Sequence, residues 1–563
     1  MEQQEAFVLS PAILQYAKLL YSELERTSGT AGVQDAQQPE SGFDQFLDDL
    51  VSLQGNAMEP IELDATHPIS DYFISSSHNT YLSGNQLTSK ASTNAYRDVL
   101  LRGCRCVEID VWDGEDPSSS ESSSDNETEA KPVKGLRGRL RRGLGKLRSR
   151  SESPLGHEES SAKQQNAADE QHMPTPWRSQ AVRAEPRVLH GYTVTKEIPF
   201  RKVCETIRDY AFRTTALPLI VSLEIHTSHG QQEIMVEIMK DLWGSYLVDL
   251  DAGADQMTPL PTLNSLRRKI LIKVKYSPPN KAAATAATKP TETAEPNSSE
   301  DEAQTDAVKR GKIIEALGAM GVYTRSCHFK GFDQPDLPHA RVSQRSAAYI
   351  GKSCSGSILE EGVQVVALNW QYMNEAMMLN QAMFEGTGGW VLKPAGYRSS
   401  HSSQSQLEAA RRCTLDLQIE VFAGQNIGKL KKREGLRPYV KCDLHVEQPE
   451  EREAGTIPEG GNAKEGELKT STKKARGGQS PDFAGQVLRF SGVAGVVPEL
   501  TFVRFKVMDD EILSDDDLIA WACFRLDRLR EGVRLVNLYD KESQKTEGVL
   551  LVRVRKSCTF PAA

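Results

Sequence analysis

The stretch HPISDYFISSSHNTYLSGNQL (residues 67–87), a helical span, and then RGCRCVEIDVWDG (102–114) decide how the rest of the chain is read. An apolar run, Tyr72-Phe73-Ile74, delivers Ser77-His78-Asn79 to a glycine-ended loop, as a strand delivers side chains to a barrel mouth. In Cys106-Val107-Glu108-Ile109-Asp110-Val111, period-two alternation puts Glu108 and Asp110 on one face and Val107, Ile109 and Val111 on the other. Two carboxylates on one strand face, joined by an asparagine and a histidine from a neighbouring strand end, make an oxygen-rich site for a hard divalent cation. The His78 imidazole then lies close enough to transfer protons.

The totals bound what can surround this site. At 563 residues the chain is too long for one core and is expected to hold two to four domains. The formal charge of −9, from 68 Lys+Arg against 77 Asp+Glu, argues against a general nucleic-acid binder. The start, MEQQEAFVLS, has neither a basic region nor an apolar core, so no signal peptide is read there. No window approaches eighteen consecutive apolar residues, the length a membrane span needs. Nine scattered cysteines fit reduced thiols in a cytoplasmic setting. Cys104 and Cys106 lack a second Cys/His pair at zinc spacing and read as strand residues.

Along the chain, residues 1–64 form a helical region. Ile13, Tyr16, Ala17, Leu20 and Tyr21, then Phe43, Phe46, Leu47, Leu50 and Val51, recur at helical spacing. Residues 65–276 carry the opening block and a βα rhythm, interrupted at 116–186 by a Ser-, Glu- and Arg-rich stretch expected to be disordered. Within it, Lys131 to Arg150 hold nine basic residues, with Leu136, Leu140, Leu144 and Leu147 at helical spacing. That segment reads as a binder of anionic lipid or calmodulin, or as a solvated linker. A low-complexity break at 277–309 separates a second βα stretch, 310–398, so one (β/α) barrel is expected from two halves. From 411 to 557 only strands are read, with a loop at 449–480: a β-sandwich.

SSSHNTYL and RGCRCVEIDVWDG resemble, nearly residue for residue, the first catalytic half (the X box) of eukaryotic phosphoinositide-specific phospholipase C. The resemblance implies a TIM-type (β/α) barrel split by a linker, a C-terminal C2 domain, and an EF-hand-like remnant of the fungal-like short form over 1–64. No D-x-[DN]-x-[DN]-G loop stands in that N-terminal segment, so helical support without calcium is expected there. Carried over to matching positions, the resemblance implies that His78 stabilises the phosphorane-like transition state. His190, in LHGYT, would be the general acid for the leaving oxygen. Asn79, Glu108, Asp110 and Glu224 would hold one Ca2+, with Glu108 also as general base, and Lys273 and Lys275 would hold ring phosphates. The implied activity is calcium-dependent cleavage of phosphatidylinositol 4,5-bisphosphate to diacylglycerol and inositol trisphosphate through a cyclic phosphodiester. The protein would act peripherally at the inner membrane surface. The blander readings are surface lysines at 273 and 275 and a strand-end acid paired with a lysine at Glu224.

Two regions depart from the family pattern. The block Gly362 to Gln371 (GVQVVALNWQ) is intact, but SQRSAAYIGKSCSGSILEE before it offers no match for the family's headgroup arginine and tyrosine. Ser343 is the nearest headgroup serine; Arg345 and Tyr349 have no spacing in their favour. A wrongly joined coding stretch accounts for this, as does a variant with weakened headgroup selectivity. The rival reading of the whole chain is therefore a catalytically impaired membrane or scaffold protein of the same fold. In the C2-like tail, Asp509, Glu511 and Asp517 match a calcium loop by spacing, whereas Arg437 stands where an aspartate is usual and should repel the ion. The acidic linker, with Glu292, Glu295, Glu300, Asp301, Glu302 and Asp306, reads as a cover for a basic site mouth or as a tether.

Overall fold

The computed structural model describes residues 8–27, 39–52, 56–84, 89–114, 185–191, 197–248, 260–275, 313–326, 344–345, 365–398, 411–427, 436–446, 467–471, 480–510 and 516–561. Helices α1 (Pro11–Thr27) and α2 (Pro39–Val51) come first, followed by the α/β half. That half begins with β1 (Tyr72–Ser77), α3 (Thr93–Leu101) and β2 (Cys106–Trp112). Short β3 (Arg187–Val188) and β4 (Ile198–Pro199) lead to α4 (Phe200–Tyr210), β5 (Leu219–His226), α5 (His229–Trp243) and β6 (Ile270–Lys275). Helix α6 (Glu315–Gly318), β7 (Arg325–Ser326), β8 (Gln344–Arg345), β9 (Val365–Leu368), α7 (Glu375–Phe384) and β10 (Trp390–Leu392) complete it.

Seven of these strands lie parallel in the order β7-β6-β5-β2-β1-β9-β8, and β10 pairs antiparallel with β1. Parallel strands need crossovers, and α3, α4 and α5 supply them while covering one face; that is why β1 and the first six residues of β2 are buried on both sides. Caps set where the crossover helices begin. The Ser92 hydroxyl accepts the Asn94 N–H (3.2 Å) ahead of α3, and the Asn374 side chain accepts the Met377 N–H (3.0 Å) ahead of α7. The two halves meet at β1, where Ile74 to Ser77 run in register with Val365 to Leu368. Gly389, with φ +84°, closes this seam, since a Cβ there would stand 2.1 Å from the carbonyl oxygen of Gly103.

The last domain is an eight-stranded antiparallel sheet folded as a β-sandwich. Its strands are β11 (Cys413–Gln425), β12 (Pro438–His445), β13 (Glu467–Ser471), β14 (Asp482–Val496), β15 (Phe502–Asp509), β16 (Asp517–Arg525), β17 (Gly532–Tyr539) and β18 (Lys545–Thr559). Their order is β13-β12-β15-β16-β17-β18-β11-β14, and Leu415, Ile419, Val440, Phe505 and Val552 fill the core.

Two sequence expectations are corrected. The stretch 449–480 is not all loop: Glu467–Ser471 pairs antiparallel with Lys441 to His445, because backbone pairing at a sheet edge needs no apolar alternation. Strand β14 is irregular at Gly485, Gly492 and Gly495, which take positive φ, and its register shifts opposite β11. Glu185 and Pro186, placed in the interruption expected to be disordered, are bonded in place: the Glu185 carboxylate accepts the Arg201 N–H (3.0 Å) and the Pro186 carbonyl accepts that of Phe200 (3.0 Å).

Helices α1 and α2 dock on the sandwich. Ile13, Ala17, Leu20 and Leu50 are buried against Phe422, Leu535 and Leu551, and the Ser10 N–H donates to Gln425 Oε1 at 2.6 Å. Helix α7 packs on β16 through Met378, Ala382, Trp521 and Cys523. Beside it an ion-pair cluster joins the domains: Arg504, buried with Asp443, donates to Asp443 and to the exposed Glu375 of α7, each at 2.8 Å. Among the described residues, no helix is long and apolar enough to cross a membrane.

Candidate active site

The carboxyl ends of β1, β2, β5 and β6 point into one cleft, because parallel strands end on the same side. At the tip of β1 the backbone of Asn79 adopts φ +46°, a left-handed conformation that asparagine tolerates better than most residues. This turn aims the Asn79 N–H at Glu108 Oε2, to which it donates at 2.8 Å. The block Gly362 to Gln371 supports the turn from the other half. The His78 N–H donates to the Leu368 carbonyl (2.8 Å), Gln371 Nε2 to the Asn79 carbonyl (3.1 Å), and Trp370 Nε1 to the Ser76 carbonyl (3.0 Å).

Glu108 and Asp110 emerge on the same face of β2, as the alternation predicts, while Val107, Ile109 and Val111 enter the opposing core. Asp110 pairs with Glu224 of β5, so three carboxylates converge. Glu108, Asp110 and Glu224 each offer an oxygen within 4.8 Å of the others. Burial pushes the Glu108 and Asp110 carboxyls above the usual carboxylate range, and mutual repulsion adds to it. Glu224 is more exposed, and His226, 3.8 Å away, holds its carboxyl below the usual range. Asp110 uses Oδ2 to accept from the Tyr81 hydroxyl at 2.6 Å and leaves Oδ1 buried with no partner among the described residues. A buried, unbonded carboxylate oxygen facing two further carboxylates fits a hard cation such as Ca2+.

His78 Nε2 stands 4.0 Å from Glu108 Oε2, and burial lowers its pKa, favouring the neutral imidazole. His190 lies two residues beyond β3, which pairs with Val111 and Trp112 of β2, so it flanks the same strand end. The Leu189 N–H donates to the Asp110 carbonyl at 3.3 Å. Gly191 sits directly against the Trp112 indole, where a Cβ would come within 2.0 Å of the ring. Trp112 in turn stacks on His226, with ring centroids 4.1 Å apart. Lys273 is buried within β6 with Nζ 3.3 Å from Ser222 Oγ; burial lowers its pKa, offset by Cys106, Glu108 and Glu224. It is no surface lysine, and Glu224 pairs with a histidine instead of a lysine.

The side chain of Lys275, Glu511, Ser343, Tyr349, the basic stretch 131–150 and the linker 277–309 lie outside the described residues. Arg345 enters with its backbone alone, in a two-residue strand that pairs parallel with Val365 and Val366. In the sandwich, Asp509 accepts the Arg437 N–H at 3.0 Å, the Arg437 guanidinium reaches Asp510 at 3.3 Å, and Lys541 pairs with Asp517 at 2.6 Å. Protein cations thus already neutralise carboxylates of that loop. Sequence reading missed Tyr81, Trp112, His226 and Gln371 as members of the site. Tyr81 and Trp112 stood inside the quoted blocks, but nothing in their spacing marks a hydroxyl that bridges two strands or a ring that spans two loops.

Comparison with known proteins follows the same division. The family model described as phosphatidylinositol-specific phospholipase C, X domain, matches residues 65–276; the corresponding Y domain matches 355–396, and a C2 domain matches 415–541. The chain is 27% identical over 572 residues to the human 1-phosphatidylinositol 4,5-bisphosphate phosphodiesterase delta-1, covering 91% of this chain and 64% of that protein. It is 26% identical to 1-phosphatidylinositol 4,5-bisphosphate phosphodiesterase 1 of Candida albicans, covering 84% of this chain and 46% of the relative. The chain therefore spans less than two thirds of the length of these relatives. The crystal structure of S. officinalis PLC21 superposes with a TM-score of 0.64 at 21% identity, covering 97% of this chain and 63% of that one. With X, Y and C2 domains in that order and the split barrel and sandwich they specify, the chain belongs to the phosphatidylinositol-specific phospholipase C family.

Proposed function

We propose that this chain is a calcium-dependent phosphoinositide phospholipase C. It would hydrolyse phosphatidylinositol 4,5-bisphosphate to diacylglycerol and inositol 1,4,5-trisphosphate through a cyclic phosphodiester, in lipid signalling. The observation that carries the reading is the convergence of Glu108, Asp110 and Glu224 within 4.8 Å, with His78 4.0 Å from Glu108. Asn79, Glu108, Asp110 and Glu224 would hold the ion. Bound there, Ca2+ would supply positive charge to the phosphoryl oxygens and make the attacking hydroxyl more acidic.

The chain's own residues do the rest. Glu108 accepts the proton of the inositol 2-hydroxyl and gives one back to that oxygen when the cyclic ester opens. His78 donates a hydrogen bond to the phosphoryl oxygen as charge develops on it. His190 hands a proton to the departing diacylglycerol oxygen and takes one back from water when the cyclic ester opens. Lys273 faces the ring phosphates, and a cation already desolvated loses little on meeting them. The C2 domain, the barrel rim and the basic stretch 131–150 supply contact with an anionic membrane surface, placing the protein peripherally on the cytoplasmic face.

The test is release of inositol phosphates from vesicles holding labelled phosphatidylinositol 4,5-bisphosphate, with and without chelator. Release that chelation abolishes, and that His78→Ala cuts by on the order of 100-fold or more, is expected. Absent or chelator-insensitive release would overturn the reading and favour the impaired scaffold.

A further inference from the structure

We propose that Tyr81 is a positioning residue for the cation. Its hydroxyl divides the oxygens of Asp110 between protein and ion and holds the Asn79 amide in register with them. The inference rests on the reading that a divalent cation binds at Glu108, Asp110 and Glu224. The Tyr81 side chain is fully buried. Its hydroxyl lies 2.6 Å from Asp110 Oδ2 and 3.0 Å from Asn79 Oδ1, and so ties the tip of β1 to the middle of β2. Its one proton is shared between these two acceptors, and the shorter contact, to Asp110 Oδ2, takes the larger part.

Two consequences follow. Asp110 cannot rotate freely to place either oxygen toward the ion, because Oδ2 is engaged and the unbonded Oδ1 is left as the donor. The Asn79 amide is set against the same hydroxyl, so two of the proposed ligands, carried by different strands, keep one spacing before any ion arrives. The backbone of Asn79 needs such a hold. It carries positive φ at a strand end, and its N–H also binds Glu108. Partners of this kind, which touch ligands and not the ion, commonly change metal affinity on the order of 10- to 100-fold.

Tyr96 supplies the control. It is equally buried, and its hydroxyl also bonds to β2, but it donates to the backbone carbonyl of Glu108 (2.9 Å) and touches no carboxylate. Calorimetric titration of the full chain with CaCl2 would compare wild type, Asp110→Asn, Tyr81→Phe and Tyr96→Phe, with thermal unfolding in chelator measured alongside. The binding event missing from Asp110→Asn defines the site. Tyr81→Phe is expected to weaken that event on the order of 10- to 100-fold, while Tyr96→Phe leaves it within about twofold.

Equal affinity in Tyr81→Phe and wild type would overturn the proposal. So would equal weakening in both phenylalanine variants, which would mark a general cost of losing a buried hydroxyl. A Tyr81→Phe chain that fails to fold while Tyr96→Phe folds would overturn it as well, since the hydroxyl would then serve the fold first. Absence of any Asp110-dependent event in wild type would instead overturn the underlying cation reading.

Discussion

Glu108 and Asp110 sit two positions apart on β2, so their oxygens cannot avoid one another, and both carboxyls are held above the usual range by burial. Protons therefore compete with the cation well above the pH at which ordinary carboxylates ionise. Calcium affinity should fall steadily as pH is lowered below neutrality, and binding should release protons, a quantity read by calorimetry in buffers of different ionisation enthalpy. Affinity independent of pH across that window would contradict the burial argument. A second residue-scale prediction concerns Gly191. A methyl group there would strike the Trp112 ring, and the segment that must shift carries His190. Gly191→Ala should lower lipid cleavage on the order of 100-fold, as misplacement of a reacting group by about 1 Å does. Calcium affinity should stay near wild type, because the carboxylates stand on other strands; a matched loss of both would show that the substitution damages the whole cleft.

At the level of elements, the joint between α7 and the sandwich concentrates buried charge. Arg504, Asp443 and Glu375 pair there, and His445 is buried beside them, its pKa pushed down to about 3 by burial and by the Arg504 guanidinium. The sign follows from where the proton binds. Below the ordinary value of 6.5 the unfolded chain takes up a proton that the folded chain refuses. Stability from the neutral imidazole is whole above that pH and is lost as pH falls toward the folded value, at up to about 1.4 kcal/mol per pH unit. Denaturant unfolding along an acid series should show this slope, and His445→Gln should flatten it. An unchanged slope would mean that other groups carry the acid sensitivity.

Across the whole molecule, the N-terminal helices lie far in sequence from the sandwich they cover. Ile13 is fully buried in the cluster that α1 and α2 form with Phe422, Leu535 and Leu551. Ile13→Ala should cost about 2–5 kcal/mol, the range for truncating a buried aliphatic side chain. If helices and sandwich unfold as one unit, a single lowered transition should appear by circular dichroism. Loss of helical signal ahead of an unshifted sandwich transition would show that the helices are a separable cover. The same docking gives these helices a structural role: their apolar stripe buries a face of the sandwich.

Much of this was legible in the chain. The period-two pattern of 106–111 determined which face carries Glu108 and Asp110, and the paired blocks around His78 and Gly362–Gln371 determined a barrel in two halves. Local rules reach that far, because strand alternation and helix periodicity depend on neighbours a few residues apart. Tertiary structure alone decided that Tyr81 reaches across to Asp110, that Trp112 packs against both Gly191 and His226, and that α1 and α2 settle on the sandwich. It also turned Glu467–Ser471 into an edge strand. Each of these is a contact between segments distant in sequence. Which buried hydroxyl meets which carboxylate is fixed by how strands pack, and no spacing along the chain records it.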